Sequence, residues 1–247
     1  FFFTGSSFLW ISFAPIWLLA PFIEWHFQHN PHLFTRLKGV VACSSSSSIT
    51  KRFSSNKYDR QLVESLSSSE DKILSICQKL SVPCCILQPT MIYGSIPPYQ
   101  DHNISKLLFI LRFLPFLPFP SDSGLRQPIH ASQLASVALR IADSFLLGET
   151  DSSITPRLAV GGDITLTYSQ LITSIQSALP PGDPASSCRL FFIPNRLFFL
   201  LSCPVLFFSP KLFEALQRMC ANLAGFTPSS SVLGTQSRPF PVKPFCS

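Results

Sequence analysis

Charged side chains are scarce in this chain of 247 residues, in which Asp, Glu, Lys and Arg together make up 13%. That is about half the share usual in soluble domains. Apolar residues reach 46%, and Phe alone occurs 24 times. This composition excludes a disordered polar tail, which is rich in charge and poor in aromatic residues. The length excludes a small scaffold that depends on disulfides, because a chain of this size can bury its own core.

Several patterns that carry chemistry are missing. Eight cysteines occur without a Cys-x-x-Cys pair, which fits neither a zinc site nor a disulfide framework and predicts free thiols in a reducing compartment. The net charge of +6 is not gathered into a run of Lys or Arg, so we expect no nucleic-acid partner. No P-loop and no Gly-x-Ser-x-Gly elbow occur. His26, His29 and His32 are spaced three apart, but Asn30-Pro31 interrupts their helix, so we expect no metal.

Two long apolar stretches raise the question of a membrane. Residues 1–23 carry no charge, and residues 190–208 are interrupted only by Pro194, Asn195, Arg196 and Pro204 among their apolar side chains and small polar residues. By length the first stretch is a candidate membrane span. The absence of charge in this first stretch is equally explained by a buried strand at 9–13 followed by a helix that begins at Pro15. The second stretch could be a helix that covers a sheet. A spanning helix and contact with a membrane surface both stay open as alternatives.

The remaining chain alternates strand-like and helix-like segments. Strands are predicted at 39–43, 84–87, 157–160 and 189–193, and helices at 59–80, 104–113, 131–145 and 168–179. Residues 114–120 alternate Pro with large apolar residues and should be extended, and the tail from Thr227 should be irregular. This order predicts an α/β fold with a parallel sheet and helices on both faces. In such sheets ligands bind beyond the carboxyl ends of the strands, here the loops at 44–52, 89–103 and 126–130.

Four ordered segments resemble one family. They are Ile11-Ser12-Phe13-Ala14-Pro15, Val40-Val41-Ala42-Cys43-Ser44-Ser45-Ser46, Leu87-Gln88-Pro89-Thr90-Met91-Ile92-Tyr93-Gly94, and Leu125-Arg126-Gln127-Pro128-Ile129-His130-Ala131-Ser132-Gln133-Leu134-Ala135. Together they resemble the extended short-chain dehydrogenase/reductases, in the branch of NAD-dependent epimerases and dehydratases that act on nucleotide sugars. The resemblance implies a Rossmann-like fold, NAD or NADP as cofactor, a nucleotide-sugar substrate, a cytoplasmic location and an option of homodimer formation.

The same resemblance implies the domain bounds. A Rossmann-like cofactor domain would span residues 1–160, with substrate-side insertions around 95–130. A small C-terminal α/β substrate subdomain would span 161–226, and the irregular tail 227–247. The family's glycine-rich turn, which holds the cofactor pyrophosphate, is absent from the printed sequence and would precede Phe1 together with the first strands. We therefore expect an N-terminally incomplete sheet, and weak or absent binding of dinucleotide by these residues.

Candidate site residues follow from the matched segments. Ser46 matches the catalytic Ser or Thr that hydrogen-bonds the reacting oxygen, with a solvated loop serine as the alternative. Asn103 matches an amide that faces the substrate, with helix capping as the alternative. Arg126 matches an arginine that contacts substrate phosphate, against a plain surface arginine. His130 is expected to be structural rather than a base. The implied cofactor contacts are Ala14, Pro15, Ser44, Ser45, Pro89 and Tyr93.

The chain also departs from the family pattern. The family uses Tyr-x-x-x-Lys, but alignment on Glu70 places Leu62 and Leu66 at those two positions. Gln88 and Gln133 replace the usual Arg and Asp. Proton transfer without a suitable general acid is slower by roughly 10²–10⁴. The sequence therefore leaves open two functions, an impaired nucleotide-sugar enzyme and a non-catalytic binding or assembly module.

Overall fold

The structure is a computed structural model, which describes residues 7–94, 101–148 and 154–242. The strands are β1 Phe8–Ser12, β2 Leu37–Cys43, β3 Cys84–Pro89, β4 Ile92–Tyr93, β5 Phe116–Pro120, β6 Leu125–Arg126, β7 Ile129–His130, β8 Arg157–Gly161, β9 Leu166–Thr167, β10 Arg189–Ile193 and β11 Thr227–Pro228. The α-helices are α1 Ile16–His29, α2 Ser47–Thr50, α3 Lys57–Lys79, α4 His102–Phe113, α5 Ala131–Leu147, α6 Tyr168–Ala178, α7 Pro184–Ser187, α8 Asn195–Phe208, α9 Pro210–Gln217 and α10 Ser229–Leu233. Two 3₁₀ helices lie at Pro31–Arg36 and Arg218–Cys220.

The chain divides into two compact units. Unit 1 contains residues 1–90, 134–160 and 231–234, and unit 2 contains 91–133, 161–230 and 235–247. Unit 1 holds a parallel sheet in the order β1-β2-β3-β8. Its register pairs Ser12 with Ala42, Cys43 with Leu87, and Pro89 with Val160. All four strands therefore end at the same edge, as the sequence predicted for a Rossmann-like sheet.

Helices cover both faces of this sheet. On one face, α1 and α3 pack on alternate residues of β2 and β3, with Val40, Ala42 and Ile86 in their shared core. On the other face, α5 lies close to β2, because a Cβ on Gly39 would stand 2.4 Å from a ring carbon of Phe145. Alternate residues of a strand point to opposite faces, so a central strand of this kind is apolar throughout.

Local signals set the ends of the helices. The Asn56 side chain accepts a hydrogen bond from the Asp59 amide and caps α3, which runs two residues beyond 59–80 at its start. Thr167 and Gln170 form a capping box at the start of α6. Pro15 is the residue before the first turn of α1 rather than part of it, since the helix begins at Ile16.

Unit 2 is built around a second apolar core. The strands β5 and β10 pair in parallel, β4 pairs in parallel with β7, and β6 pairs antiparallel with β9. Tyr93, Phe119, Ile172 and Leu111 lie in the core beside them, packed by α4 and α6. The apolar stretch after β10 forms the helix α8, and a second helix, α9, follows it.

One expectation needs correction, and one open alternative finds no support among the described residues. The tail from Thr227 is not wholly irregular, because Thr227–Pro228 is a strand and Ser229–Leu233 is a helix. The start of this helix is held by Asp163, which accepts hydrogen bonds from the Ser229 hydroxyl and the Ser230 amide. The sequence did not predict the helix because Asp163 is distant from it along the chain. The spanning helix is also not found: among the described residues, no helix combines the length and the apolar character that a bilayer crossing requires. The extended backbone at Ser209, just before Pro210, ends α8 after 14 residues.

Candidate functional site

The carboxyl-terminal edge of the unit 1 sheet gathers most of the predicted site residues. Ala14 and Pro15 follow β1, Ser44, Ser45 and Ser46 follow β2, and Pro89 ends β3. Ala14 and Pro15 are exposed, whereas Pro89 is buried and its carbonyl accepts a hydrogen bond of 3.0 Å from the Ser46 amide. The turn that carries the serines is therefore tied to the end of β3.

Three hydroxyls of the serine run take part in hydrogen bonds within the protein. Ser44 donates to Glu70, Ser48 donates to the Ser45 carbonyl, and the Ser45 hydroxyl accepts from the Ser47 amide. Ser46 stands at the N-cap of α2 but its side chain makes no cap bond. Its backbone carbonyl accepts a hydrogen bond of 3.0 Å from the Thr50 hydroxyl. This geometry makes Ser46 a better candidate than Ser44, Ser45 or Ser48 for a hydrogen bond to a ligand oxygen.

A buried carboxylate organises this edge. Glu70 is 1% exposed; its Oε1 accepts the Ser44 hydroxyl at 2.5 Å, and its Oε2 accepts Gln88 Nε2 and Arg157 Nε, each at 2.9 Å. Gln88 Nε2 also donates to the Ser48 hydroxyl at 3.0 Å. Burying an unpaired carboxylate is costly, so the three donors explain why Glu70 can stand inside the unit.

Arg157 joins this network to the surface. Its Nη2 donates to Asp71 Oδ1 at 2.6 Å while its Nε holds Glu70. Burial by itself lowers the pKa of Arg157, but the hydrogen bonds and charges of Glu70 and Asp71 outweigh burial and hold it above the usual value. The sequence analysis used Glu70 only to align the Tyr-x-x-x-Lys motif, and Arg157 only as the first residue of a strand. It did not predict that the two side chains meet, because nothing in their spacing indicates a partner 87 residues away.

The positions of the missing Tyr and Lys lie on the inner stripe of α3. Leu66 is 2% exposed in the core under the sheet, and Leu62 packs against the same core. Leu62, Leu66 and Glu70 follow one another at intervals of four, so all three share one helix face. Tyr58, the nearest tyrosine, is 68% exposed. These two leucines contribute packing and offer no proton to a ligand.

Unit 2 contains the other three predicted site residues. Tyr93 is a buried core residue: its hydroxyl accepts the Val242 amide at 3.0 Å, and burial raises its pKa to about 12. Its ring packs edge-on against His130 and Phe240. Asn103 is exposed and its amide donates to the Ile92 carbonyl at 3.1 Å. The capping alternative for Asn103 is wrong, because Asp101 is the N-cap and accepts the Ile104 amide.

Arg126 is not a surface arginine. It is 8% exposed, and its guanidinium lies over the Tyr168 ring at 4.9 Å. Nη1 donates to the carbonyls of Leu125 and Ala221, and Nη2 donates to the carbonyl of Arg218. Burial lowers its pKa from the usual value. In this arrangement Arg126 holds the segment that follows α9, because three of its N–H donors are bonded to backbone carbonyls.

Two glutamines and one aspartate also form hydrogen bonds with the C-terminal segment, which here means residues 218–238. Gln127 donates to the carbonyls of Gly162 and Phe226 and accepts the Phe226 amide. Gln133 donates to Asp163, and Asp163 also accepts the amides of Ser230 and Arg238. From the sequence, Gln133 was noted only because it replaces the usual Asp of the family. Asp163 was not predicted to have any role other than as part of a turn.

The His130 side chain contacts its own loop. Its Nδ1 lies 2.7 Å from the Ser132 hydroxyl, and its amide donates to Gln133. Burial, with Arg238 nearby, lowers its pKa. A metal centre has no support in the described ranges, since they hold no group of three His, Cys, Asp or Glu side chains placed to bind one ion.

The fold is shared with enzymes that act on nucleotide sugars. A scan of protein-family models and a search of curated proteins both find no match. A nucleoside-diphosphate-sugar epimerase from Staphylococcus aureus matches with a TM-score of 0.53 and 12% identity over 96% of this chain and 75% of that one. A UDP-glucuronic acid 4-epimerase from Bacillus cereus, in complex with UDP-glucuronic acid and NAD, matches at 0.51 and 14% over 84% and 60%.

A third structure extends the same likeness. GDP-mannoheptose C4 reductase from Campylobacter jejuni, with NADP bound, matches with a TM-score of 0.51 and 13% identity over 72% of this chain and 62% of that one. The fold is Rossmann-like. At these identities the likeness establishes the fold and not the activity. The chain spans about 60% of the length of the first structures that it matches.

Proposed function

We propose that this chain binds a nucleotide sugar and is of the NAD(P)-dependent epimerase, dehydratase and reductase type. The observation that carries the proposal is the convergence of Ala14, Pro15, Ser46 and Pro89 at the carboxyl-terminal edge of one parallel sheet. These four positions were inferred from three separate segments of the sequence. Ligands of open parallel sheets bind at this edge, which supports a site there.

The proposed role of Ser46 is to donate a hydrogen bond to an oxygen of the bound sugar. Its amide is held by Pro89 and its carbonyl by Thr50, so the backbone that carries the hydroxyl is fixed on both sides. A hydroxyl on a fixed turn does not have to be ordered when the ligand arrives. Asn103 is proposed to contact the same class of ligand through its exposed amide.

A nicotinamide dinucleotide supplies hydride transfer when it is bound, but the residues present fit it poorly. The 247 residues contain no Gly-x-x-Gly-x-x-Gly turn. The Ser44 hydroxyl donates to Glu70 within the protein, and Leu66 stands in the core where the family has Lys. We therefore propose that this chain binds NAD and NADP weakly. Low-micromolar affinity, about −8 kcal/mol, in a calorimetric titration would contradict this.

Titration with nucleotide sugars tests the main proposal. We expect UDP-glucose, UDP-glucuronic acid or GDP-mannose to bind, and Ser46→Ala to weaken that binding about fivefold through the loss of one hydrogen bond. Ser47→Ala is the matched control, one residue along the same run, and should bind as the unchanged chain does. Equal affinity of the unchanged chain and Ser46→Ala, or no binding of any of the three compounds, contradicts the proposal.

A non-catalytic binding module is the second candidate, favoured by the packing of Leu62 and Leu66. The assay that separates the two candidates measures NADH or NADPH with each nucleotide sugar by absorbance. Turnover that Ser46→Ala abolishes supports an enzyme, whereas sugar binding without turnover supports the module. A cytoplasmic location and a homodimer remain predictions, the latter testable by analytical ultracentrifugation.

A further inference from the structure

Helix α8 in unit 2 exposes its apolar side chains instead of burying them. Phe207 and Phe208 are each 89% exposed, and Leu200 and Leu201 are more than 60% exposed. The same helix buries only Phe198 and Ser202. Isolated exposed apolar residues are ordinary, but a helix that turns most of its apolar side chains outward indicates a surface that something else covers. We call Leu200, Leu201, Phe207 and Phe208 the α8 face.

The α8 face continues into its neighbours. Leu201 of α8 and Ile110 of α4 line the same cavity of about 320 Å³, and both are exposed at its rim. Phe119 and Ile193 line the cavity from β5 and β10. The patch therefore extends across at least two helices around an apolar opening, which is wider than a single exposed side chain.

The charged residues within and next to α8 in the sequence are cations. Residues 189–213 contain Arg189, Arg196 and Lys211 and no Asp or Glu, and all three cations are exposed. Two acidic residues lie nearby on packed elements. Asp122 bonds through its backbone to Asn195 at the start of α8, and Glu214 is paired with Arg218 at 3.5 Å. Residues 189–213 therefore carry a net charge of +3, with Asp122 as the nearby acidic residue outside any ion pair among the described residues.

We propose that the α8 face docks on the surface of an anionic lipid bilayer. A helix of 14 residues is about 21 Å long, too short for a hydrocarbon layer of about 30 Å, so it would lie in the interface. Apolar side chains on one face with cations beside them are what such a surface accepts. A second copy of this chain fits less well, because a two-fold contact presents the same cations to each other. This proposal does not depend on the nucleotide-sugar proposal.

Vesicle sedimentation of the full chain tests the proposal. We expect sedimentation with vesicles of phosphatidylcholine and phosphatidylglycerol, less with phosphatidylcholine alone, and a loss in high salt. Phe207→Ser with Phe208→Ser should weaken the binding about tenfold or more, since two buried rings are lost. Phe53→Ser is the control, because Phe53 is 92% exposed but lies in unit 1.

A fluorescence measurement complements the loss of vesicle binding in the paired Ser variant. Phe207→Trp should keep the binding, and its emission should shift to the blue when anionic vesicles are added, because the indole leaves water. Absence of sedimentation with both vesicle types overturns the proposal, as does binding that the paired Ser substitution leaves unchanged. Self-association that this substitution abolishes, without any vesicle binding, also overturns it and identifies a second copy as the occupant.

Discussion

The Ser44 hydroxyl donates a hydrogen bond of 2.5 Å to Oε1 of Glu70, which joins the turn after β2 to the middle of α3. The other oxygen of the same carboxylate holds Gln88 of β3 and Arg157 of β8. One buried side chain thus ties three consecutive strands of the sheet to the helix packed under them. The shape of the Ser46 turn depends on this tie, since Ser44 and Ser48 both take part in it.

Glu70→Ala should lower the free energy of unfolding of unit 1 by about 2 kcal/mol. A broken buried ion pair costs about 3–5 kcal/mol, and the value here is smaller because the Arg157 side chain is 37% exposed and screened by water. Urea unfolding followed by tryptophan fluorescence measures it, because Trp10, Trp17 and Trp25 all lie in unit 1. Asp71→Ala, at a side chain 72% exposed, should cost less than about 1 kcal/mol. Equal costs for the two variants would contradict the network.

Leu66→Lys should not restore a working family motif. The Leu66 side chain lies in the core, so the new ammonium would be buried without a partner and should destabilise unit 1 by about 3 kcal/mol or more. Leu62→Tyr, at a half-buried position, should cost less. The same fluorescence-detected unfolding compares them. Wild-type stability of Leu66→Lys would show that position 66 reaches solvent, and would place α3 in a different orientation.

Arg126→Lys should loosen the segment after α9. Lysine cannot match three carbonyls and an aromatic face at once, and its ammonium is costly to desolvate. We expect a loss of about 2 kcal/mol, consistent with charged hydrogen bonds. Trypsin should cleave after Arg218 faster in this variant, because the Arg218 carbonyl loses its donor. Arg189→Lys, on an exposed side chain, is the control and should leave that cleavage rate unchanged.

Asp163 should make the C-terminal segment sensitive to acid. Burial alone would raise its pKa, but the amides of Arg238 and Ser230 and the Ser229 hydroxyl lower it below the usual value. A depressed pKa stabilises the folded state above the unfolded value, about 3.9, and that contribution is lost as pH falls through the folded pKa. Amide exchange at Ser230 and Arg238 measures this. Asp163→Asn should exchange faster at neutral pH and match the unchanged chain in strong acid; a constant difference across pH would contradict it.

Much of the architecture could be predicted from the sequence because it rests on local patterns. The apolar run at β2, the amphipathic stripe of α3 and the Pro-rich extension before β6 are each visible within a few residues. Their order dictates parallel strands with helical crossovers, and thus a common edge for Ala14, Ser46 and Pro89. Strand β10 was predicted with its observed bounds, and the ends of the four helices predicted with bounds, α3, α4, α5 and α6, lie within two residues of the observed ones.

Only the tertiary structure decided which polar side chains meet. Glu70 and Arg157 are 87 residues apart in the chain, and Arg126 reaches carbonyls more than 90 residues away. No period or motif encodes such pairs, because a buried charge can be satisfied by any donor that the fold brings near it. The same holds for Tyr93, which reads as a site residue in its motif and is a core residue in its unit. The sequence determined the sheet and the edge at which its strands end; long-range packing determined that the Ser44 hydroxyl is held by Glu70, whereas the Ser46 side chain makes no cap bond.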